Sequence, residues 1–328
     1  MTEGSAASAP VVPGDPREAW SGLLLVDKPP GVTSHDVVDR VRRRLRARGA
    51  GHLGTLDPGA SGLLVLALGA ATRCAQVWQG GLKTYEGTLL LGVVTSTQDL
   101  QGEVLERREV ALEERQVREA ADALTGEIEQ VPPMVSALKV GGQRLHRLAR
   151  RGLVVERQPR RVTVHSWEWL GFALPEASFR VVVSGGTYVR TLAHDLGARL
   201  GTGAALKSLR RLRSEPFGLE RAIGLRDLDS ATPAEVLARA GVPLAEALRV
   251  LPGVMLDEAG AAELGFGRRP AVEPGAAPSG AGPRSVVFRG PDGEPLALGE
   301  IAPDPARPGA FFACPHVVFP WAVRQGRP

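Results

Sequence analysis

The sequence predicts an α+β fold: a mixed, largely antiparallel central sheet flanked by helices, with a small β-rich domain at the C-terminal end. Three observations lead there. Strand-like and helix-like segments are interspersed without strict βαβ alternation. Dense apolar runs, Leu23-Leu24-Leu25-Val26 and Leu63-Leu64-Val65-Leu66-Ala67-Leu68, adjoin loops rich in glycine and proline. Past about residue 250 the composition shifts toward Pro, Gly and Ala, and a strong hairpin signal follows.

The first 20 residues are rich in Ala, Ser and Pro and read as a disordered tail. They lack the charged and apolar regions of a signal peptide, and no apolar run approaches the ~20 residues needed to cross a bilayer. The two cysteines, Cys74 and Cys314, lie in no metal-ligand spacing. The expectation is a cytoplasmic protein with free thiols and no metal. A main domain is expected over 21–248 and the β-rich domain over 250–324.

Leu23 to Gly31 reads as a short strand ending in a turn. Thr33 and Asp36 form a capping-box-like start to a helix whose Val37, Val38, Val41 and Leu45 make one apolar stripe. Lys83 to Leu91 reads as a strand with Tyr85, Gly87, Leu89 and Leu91 on one face. A helix is expected over 112–125, stopped by Gly126. Pro132-Pro133 breaks the chain, and a short basic helix is expected over 143–151, ended by Gly152. Arg161 to Trp169 and Ser178 to Ser184 read as strands. Thr187 is expected to cap a helix with Tyr188, Leu192 and Leu196 on one side. Residues 270–283 read as a linker. Pro291-Asp292-Gly293 is the hairpin turn between Val286-Val287-Phe288 and Leu296 to Ile301.

Net charge is only +4, but arginine is clustered. One cluster is Arg40, Arg42, Arg43, Arg44, Arg46 and Arg48. A second is Arg144, Arg147, Arg150, Arg151, Arg157, Arg160 and Arg161. A third is Lys207, Arg210, Arg211 and Arg213. One cluster alone would be a solvated helix face; three together point to a polyanion, because the guanidinium fork suits phosphate.

The most informative stretch is Gly51-His52-Leu53-Gly54-Thr55-Leu56-Asp57-Pro58-Gly59-Ala60-Ser61-Gly62. It presents one carboxylate in a loop of small residues, anchored by the apolar run that follows. No second carboxylate lies nearby in sequence. Composition alone would allow a simple Asx-turn. The ordered string, however, closely resembles the Gly-His-x-Gly-Thr-Leu-Asp-Pro-x-Ala-x-Gly signature of the TruB family of tRNA pseudouridine synthases. Further segments resemble the same family in the same order: Lys28-Pro29-Pro30-Gly31, Tyr85, Pro132-Pro133-Met134-Val135-Ser136-Ala137, Gly186-Thr187-Tyr188-Val189-Arg190 and Leu209-Arg210-Arg211. The likeness spans roughly residues 22–220. The C-terminal part resembles the family's PUA-like RNA-binding domain more weakly.

The resemblance implies isomerisation of uridine 55 in the T-arm of tRNA, with no cofactor. It implies Asp57 as the essential nucleophile, Arg190 as the partner that holds it and keeps its pKa low, and Tyr85 as the ring that stacks on the base. It places Tyr188 beside Tyr85 as a pocket wall and Leu209 against the uracil. His52 becomes the wedge that fills the space of a flipped-out base, and Lys28 belongs to the N-terminal motif and the substrate-binding set. Residues 132–155 become an RNA-clamping thumb, with Arg144, Arg147, Arg150 and Arg151 along phosphates, ordering on tRNA. The chain departs from the family pattern at Gly59, at Val135, and at His146-Arg147. It is expected to act as a monomer. Two other readings stay open: a non-enzymatic tRNA-binding chaperone, and a guide-RNA-dependent synthase of the same superfamily.

Overall fold

In the computed structural model the described residues are 20–136, 138–140, 142–145, 148, 151, 153, 155–273, 285–305, 307 and 309–323. Residues 1–19 of the expected tail, 274–283 of the expected linker, and His146, Arg147 and Arg150 lie outside them, as does the Arg144 side chain.

Among the described residues one sheet of eleven strands organises the main body. Its principal path runs Ile223–Gly224, Gly22–Lys28, Ser61–Leu68, Ala204–Ser214, Lys83–Leu91, Glu176–Val183, Arg160–Ala173 and Gly126–Gln130. Two neighbouring pairs are parallel, Gly22–Lys28 with Ile223–Gly224 and Ser61–Leu68 with Ala204–Ser214; the other pairings are antiparallel. The mixed, largely antiparallel sheet expected from the sequence is therefore present.

The unbroken apolar runs have a geometric cause. Alternate side chains of a strand point to opposite faces. Leu24, Val26, Leu64 and Leu66 enter one core, shared with the helix Ser34–Arg44 and the helix Val189–Arg199. Leu23, Leu25, Leu63 and Val65 enter another on the opposite face, shared with Trp78, Val287 and Phe319. A strand buried on both faces has no polar positions to alternate with.

The strand Ala204–Ser214 was not legible as an element, yet it lies at the centre of the sheet. Its approach to Ser61–Leu68 explains Gly62. There φ is +98°, and a Cβ would stand 2.2 Å from the Arg211 carbonyl oxygen. Only glycine fits so close an approach. The third cationic cluster falls on this strand, and its charge is largely consumed. Arg210 pairs with Asp27 at 2.7 Å, Arg213 with Glu215 at 2.8 Å, and Lys207 with Glu176. Arg211 is 2% exposed. This cluster is therefore not the free phosphate-binding patch that its composition suggested.

The capping box forms as expected: Asp36 N–H donates to Thr33 Oγ1 at 3.1 Å, and Thr33 N–H donates to Asp36 Oδ2 at 2.9 Å. Three boundaries differ from expectation. Gln143–Arg144 pairs with Lys139–Val140 as a small hairpin, so helical conformation begins only at Leu145. The helix expected over 112–125 spans Glu114–Asp122 and ends at Ala123, before Gly126, which with φ +100° opens the strand Gly126–Gln130 instead. The helix Val189–Arg199 is preceded by Tyr188 as its N-terminal boundary residue rather than by Thr187, whose hydroxyl donates to Ser184 O at 2.9 Å. Gln130 takes the capping work across the sheet. Its Oε1 accepts from Tyr188 N–H at 2.8 Å and its Nε2 donates to Tyr188 O at 3.1 Å.

The C-terminal region forms a five-stranded sheet in the order Gly253–Met255, Val286–Arg289, Pro295–Pro303, Phe311–Val318, Ala271–Val272. The expected hairpin is present, with Gly293 at φ +81° and Glu294 N–H donating to Asp292 Oδ1 at 3.0 Å. Ala271–Val272, inside the expected linker, pairs with Phe311–Phe312. No helix of the described residues is long and apolar enough to cross a membrane.

Candidate active site

The Asp57 loop is held from below by two buried polar side chains. The Ser34 hydroxyl donates to Leu56 O and accepts from Leu56 N–H, both at 2.9 Å. Lys28, 0% exposed, spends its ammonium on main-chain oxygens: Val32 O at 2.8 Å, Pro29 O at 3.0 Å and Pro58 O at 3.3 Å. Gly31 N–H also donates to Pro58 O at 2.8 Å. The N-terminal turn is thus a clamp on the loop. Burial lowers the Lys28 pKa to about 8, opposed by the nearby Asp57 carboxylate. The structure gives Lys28 the role of fixing the loop, and it does not line the cavity described next.

Asp57 faces Arg190, not its own backbone. Arg190 Nη2 donates to Asp57 Oδ1 at 3.2 Å, and its Nε makes an ion-pair contact with Oδ2 at 2.8 Å. Arg190 is 3% exposed, whereas the Asp57 side chain remains 37% open. The guanidinium also donates to Thr97 O at 3.2 Å and to Val135 O at 2.9 Å. One side chain thereby ties together the Asp57 loop, the 95–99 turn and the Pro-Pro segment. Because the bond at residue 135 is made by the carbonyl, the departure to valine there leaves it intact.

Opposing influences set the Asp57 pKa. Burial raises it most; Arg190 lowers it; Asp99 raises it further. The net direction is upward, against the expectation that Arg190 keeps it low. Desolvation of a carboxylate outweighs even a paired guanidinium here. Asp99 is also the second carboxylate that sequence distance hid, held by Thr97 Oγ1 at 2.5 Å and Gln101 N–H at 3.0 Å. A small cavity between Asp57 and Asp99 is lined by Gly59 and Gln101. A Cβ at Gly59 would stand 3.3 Å from Gln101 Cγ, so a larger residue there would press on Gln101.

A cavity of about 330 Å³ opens in front of Asp57. His52, Tyr85, Tyr188, Arg190 and Leu209 all line it, so the structure brings together six of the expected site residues. Tyr85 is buried on the central strand Lys83–Leu91. Tyr188 lies 6.0 Å from the Arg190 guanidinium, and burial raises its phenol pKa, opposed first by a hydrogen bond with Ser136. Arg151, from the expected thumb, is exposed and outside the cavity. The sequence reading missed Gln79, Lys83, Ser136 and Arg211 as lining residues. Ser136 and Arg211 lay inside quoted motifs, and Lys83 stands two residues from Tyr85, on the same strand face.

Two family models match the chain. One is described as TruB family pseudouridylate synthase (N terminal domain), over residues 42–189; the other, tRNA pseudouridylate synthase B C-terminal domain, over residues 190–249. The boundary falls immediately before Arg190, so the cavity draws residues from both. A protein named tRNA pseudouridine synthase B from Burkholderia mallei (strain NCTC 10247) is 48% identical over 253 residues, 77% of this chain and 83% of its own length. A protein of the same name from Opitutus terrae is 46% identical, covering 73% of this chain and 99% of its own. Among solved structures, a chain of a Cbf5-Nop10-Gar1 complex matches with a TM-score of 0.70 at 30% identity, covering 93% of this chain and 87% of its own. A chain of an archaeal box H/ACA sRNP Nop10-Cbf5 complex matches with a TM-score of 0.67 at 27% identity, covering 94% and 90%.

Proposed function

Since the chain belongs to the TruB family of pseudouridylate synthases, and so is a tRNA pseudouridine synthase, we propose that its target is uridine 55 in the T-arm, with Asp57 as nucleophile on a flipped-out base. The observation that carries this reading is the lone carboxylate facing the cavity among the described residues: Asp57, clamped by Arg190 at a mouth that also holds Tyr85 and Leu209.

The reaction breaks the N1–C1′ bond, turns the uracil and rejoins it through C5. Nothing is oxidised or added, so the chain's own residues suffice. Asp57 supplies the electron pair that captures C1′ or C6, or assists base loss through a glycal. Arg190 aims it by two-point contact. Tyr85 stacks on the base, and Leu209 presents an apolar wall. His52, which lines the cavity, is the wedge that occupies the vacated stack. The basic segment over 132–155 and the PUA-like C-terminal sheet hold the RNA. The enzyme works as a cytoplasmic monomer without a cofactor.

Incubation with an unmodified tRNA transcript, followed by pseudouridine mapping, tests the reading. A single new pseudouridine at position 55, absent with Asp57→Asn, is expected. Binding without any isomerisation would favour the chaperone alternative. Isomerisation only in the presence of an added guide RNA would favour the guide-dependent one.

A further inference from the structure

We propose that Lys83 and Arg211 form a cationic floor to the active-site cavity that stabilises the negative charge developing on uracil as the N1–C1′ bond breaks. The inference rests on the pseudouridine-forming reading and assigns work to two side chains that the reading leaves idle.

Both residues line the cavity and both are nearly inaccessible, at 7% and 2% exposure. Lys83 Nζ donates to Gln79 O at 3.0 Å and to Gly81 O at 2.9 Å. Arg211 Nε donates to Leu63 O at 2.6 Å and its Nη2 to Gly54 O at 3.1 Å. Each cation is thus pinned by main-chain carbonyls, and neither has a carboxylate partner among the described residues. Arg211 Nη1 carries no hydrogen bond among them either. The two charges meet under the loop: a Cβ placed on Gly54 would lie 3.5 Å from Arg211 Nη1 and 3.8 Å from Lys83 Cε.

Two like charges, buried side by side without a counter-ion, are unfavourable unless an anion visits. Burial and Arg211 together lower the Lys83 pKa to about 8, and the groups that face it are this guanidinium and the two carbonyls. The field at Asp57 is set instead by Arg190, Asp99 and Lys28. The cavity lining thus carries two separate charge groups, Asp57 with Arg190 and the uncompensated pair of Lys83 and Arg211.

The chemistry supplies the missing anion. When N1–C1′ breaks, its electron pair leaves with the base, and the charge spreads over N1, O2 and O4. Addition at C6 likewise places charge on O4. Rejoining through C5 consumes that charge and gives a neutral adduct; the C5 proton is then lost and N1 takes one up, so the balance closes without a co-reactant. Fixed donors aimed at transient charge in a dry cavity act as an oxyanion hole does.

The test compares Lys83→Met and Lys83→Arg with wild type on an unmodified tRNA transcript. Lys83→Met should slow single-turnover pseudouridine formation at least about tenfold, with tRNA affinity and thermal unfolding near wild type. Lys83→Arg should recover most of that rate. The wild-type rate should fall as pH rises through about 8, where Lys83 loses its charge, and Lys83→Met should lack this alkaline limb. A wild-type rate in Lys83→Met, or equal falls in both variants tracking lower thermal stability, would overturn the proposal while wild-type activity left the functional reading standing. No product from wild type would instead strike the functional reading itself.

Discussion

Asp57 is held ionisable by Arg190 and pushed toward neutrality by burial and Asp99, and the second pull is the larger. In the proposed reaction its ionised form acts as the nucleophile, so the rate should fall on acidification with a midpoint above the ordinary aspartate value of 3.8. Arg190→Met should move that acid limb further upward, since the first stabilising influence is removed; a limb that stays in place would show that Arg190 does not tune the carboxyl. Arg190→Lys keeps the charge but loses the fork that reaches Asp57, Thr97 and Val135 together. It should lower the single-turnover rate at least about tenfold with little effect on tRNA binding. Asp57→Asn should abolish tritium release from labelled uridine and retain tRNA affinity. At this scale the ordered motifs made Asp57, Tyr85, Tyr188, Arg190, Leu209 and His52 legible. Asp99 was hidden because spatial proximity to Asp57 leaves no trace in sequence spacing, whereas Lys83 shares a strand face with Tyr85 and was open to reading; the direction of the Asp57 pKa was hidden because desolvation depends on the whole surround.

Elements were legible where one local signal suffices. The helix Ser34–Arg44 announces itself by cap and stripe, and Thr33→Ala should cost about 1 kcal/mol in urea denaturation without changing the chemical step. The strand Ala204–Ser214 was not legible because its four cations read as a solvated surface. Lys207, Arg210 and Arg213 sit in a central strand because Glu176, Asp27 and Glu215 meet them, and Arg211 because main-chain carbonyls do. Arg40 of the first cluster likewise meets Asp229. Counting arginines therefore overstates the charge left for RNA, and the proposed function asks more of the 132–155 segment. Replacing Arg147, Arg150 and Arg151 together with Ala should weaken tRNA binding. The plot of log affinity against log salt should flatten by about 0.7–0.9 for each phosphate no longer neutralised. An unchanged slope would remove this segment from the interface.

The whole molecule is built around strands buried on both faces, and this joins the C-terminal sheet to the main body. Phe319 is 0% exposed, stacks on Trp321 with ring centroids 5.1 Å apart, and shares a core with Leu23, Leu25 and Trp78. Past residue 250, the boundary that composition suggested, the C-terminal sheet has a core of its own around Val254, Leu264 and Phe288, but a second core crosses that boundary. Phe319→Ala should destabilise the chain by about 3–5 kcal/mol, and near- and far-ultraviolet signals should still melt together. Two separated transitions would show the regions to be energetically independent. The central position of Ala204–Ser214 has a consequence for synthesis. A ribosome releases Ser61–Leu68 and Lys83–Leu91 long before the strand that must lie between them. Until it arrives, the nascent chain carries two apolar strands with open facing edges, the state most prone to pairing with another chain. The same strand also follows Arg190 and delivers Leu209 and Arg211. A truncated or stalled product is therefore left without a finished Asp57 cavity, and it exposes the edges by which quality control can recognise it.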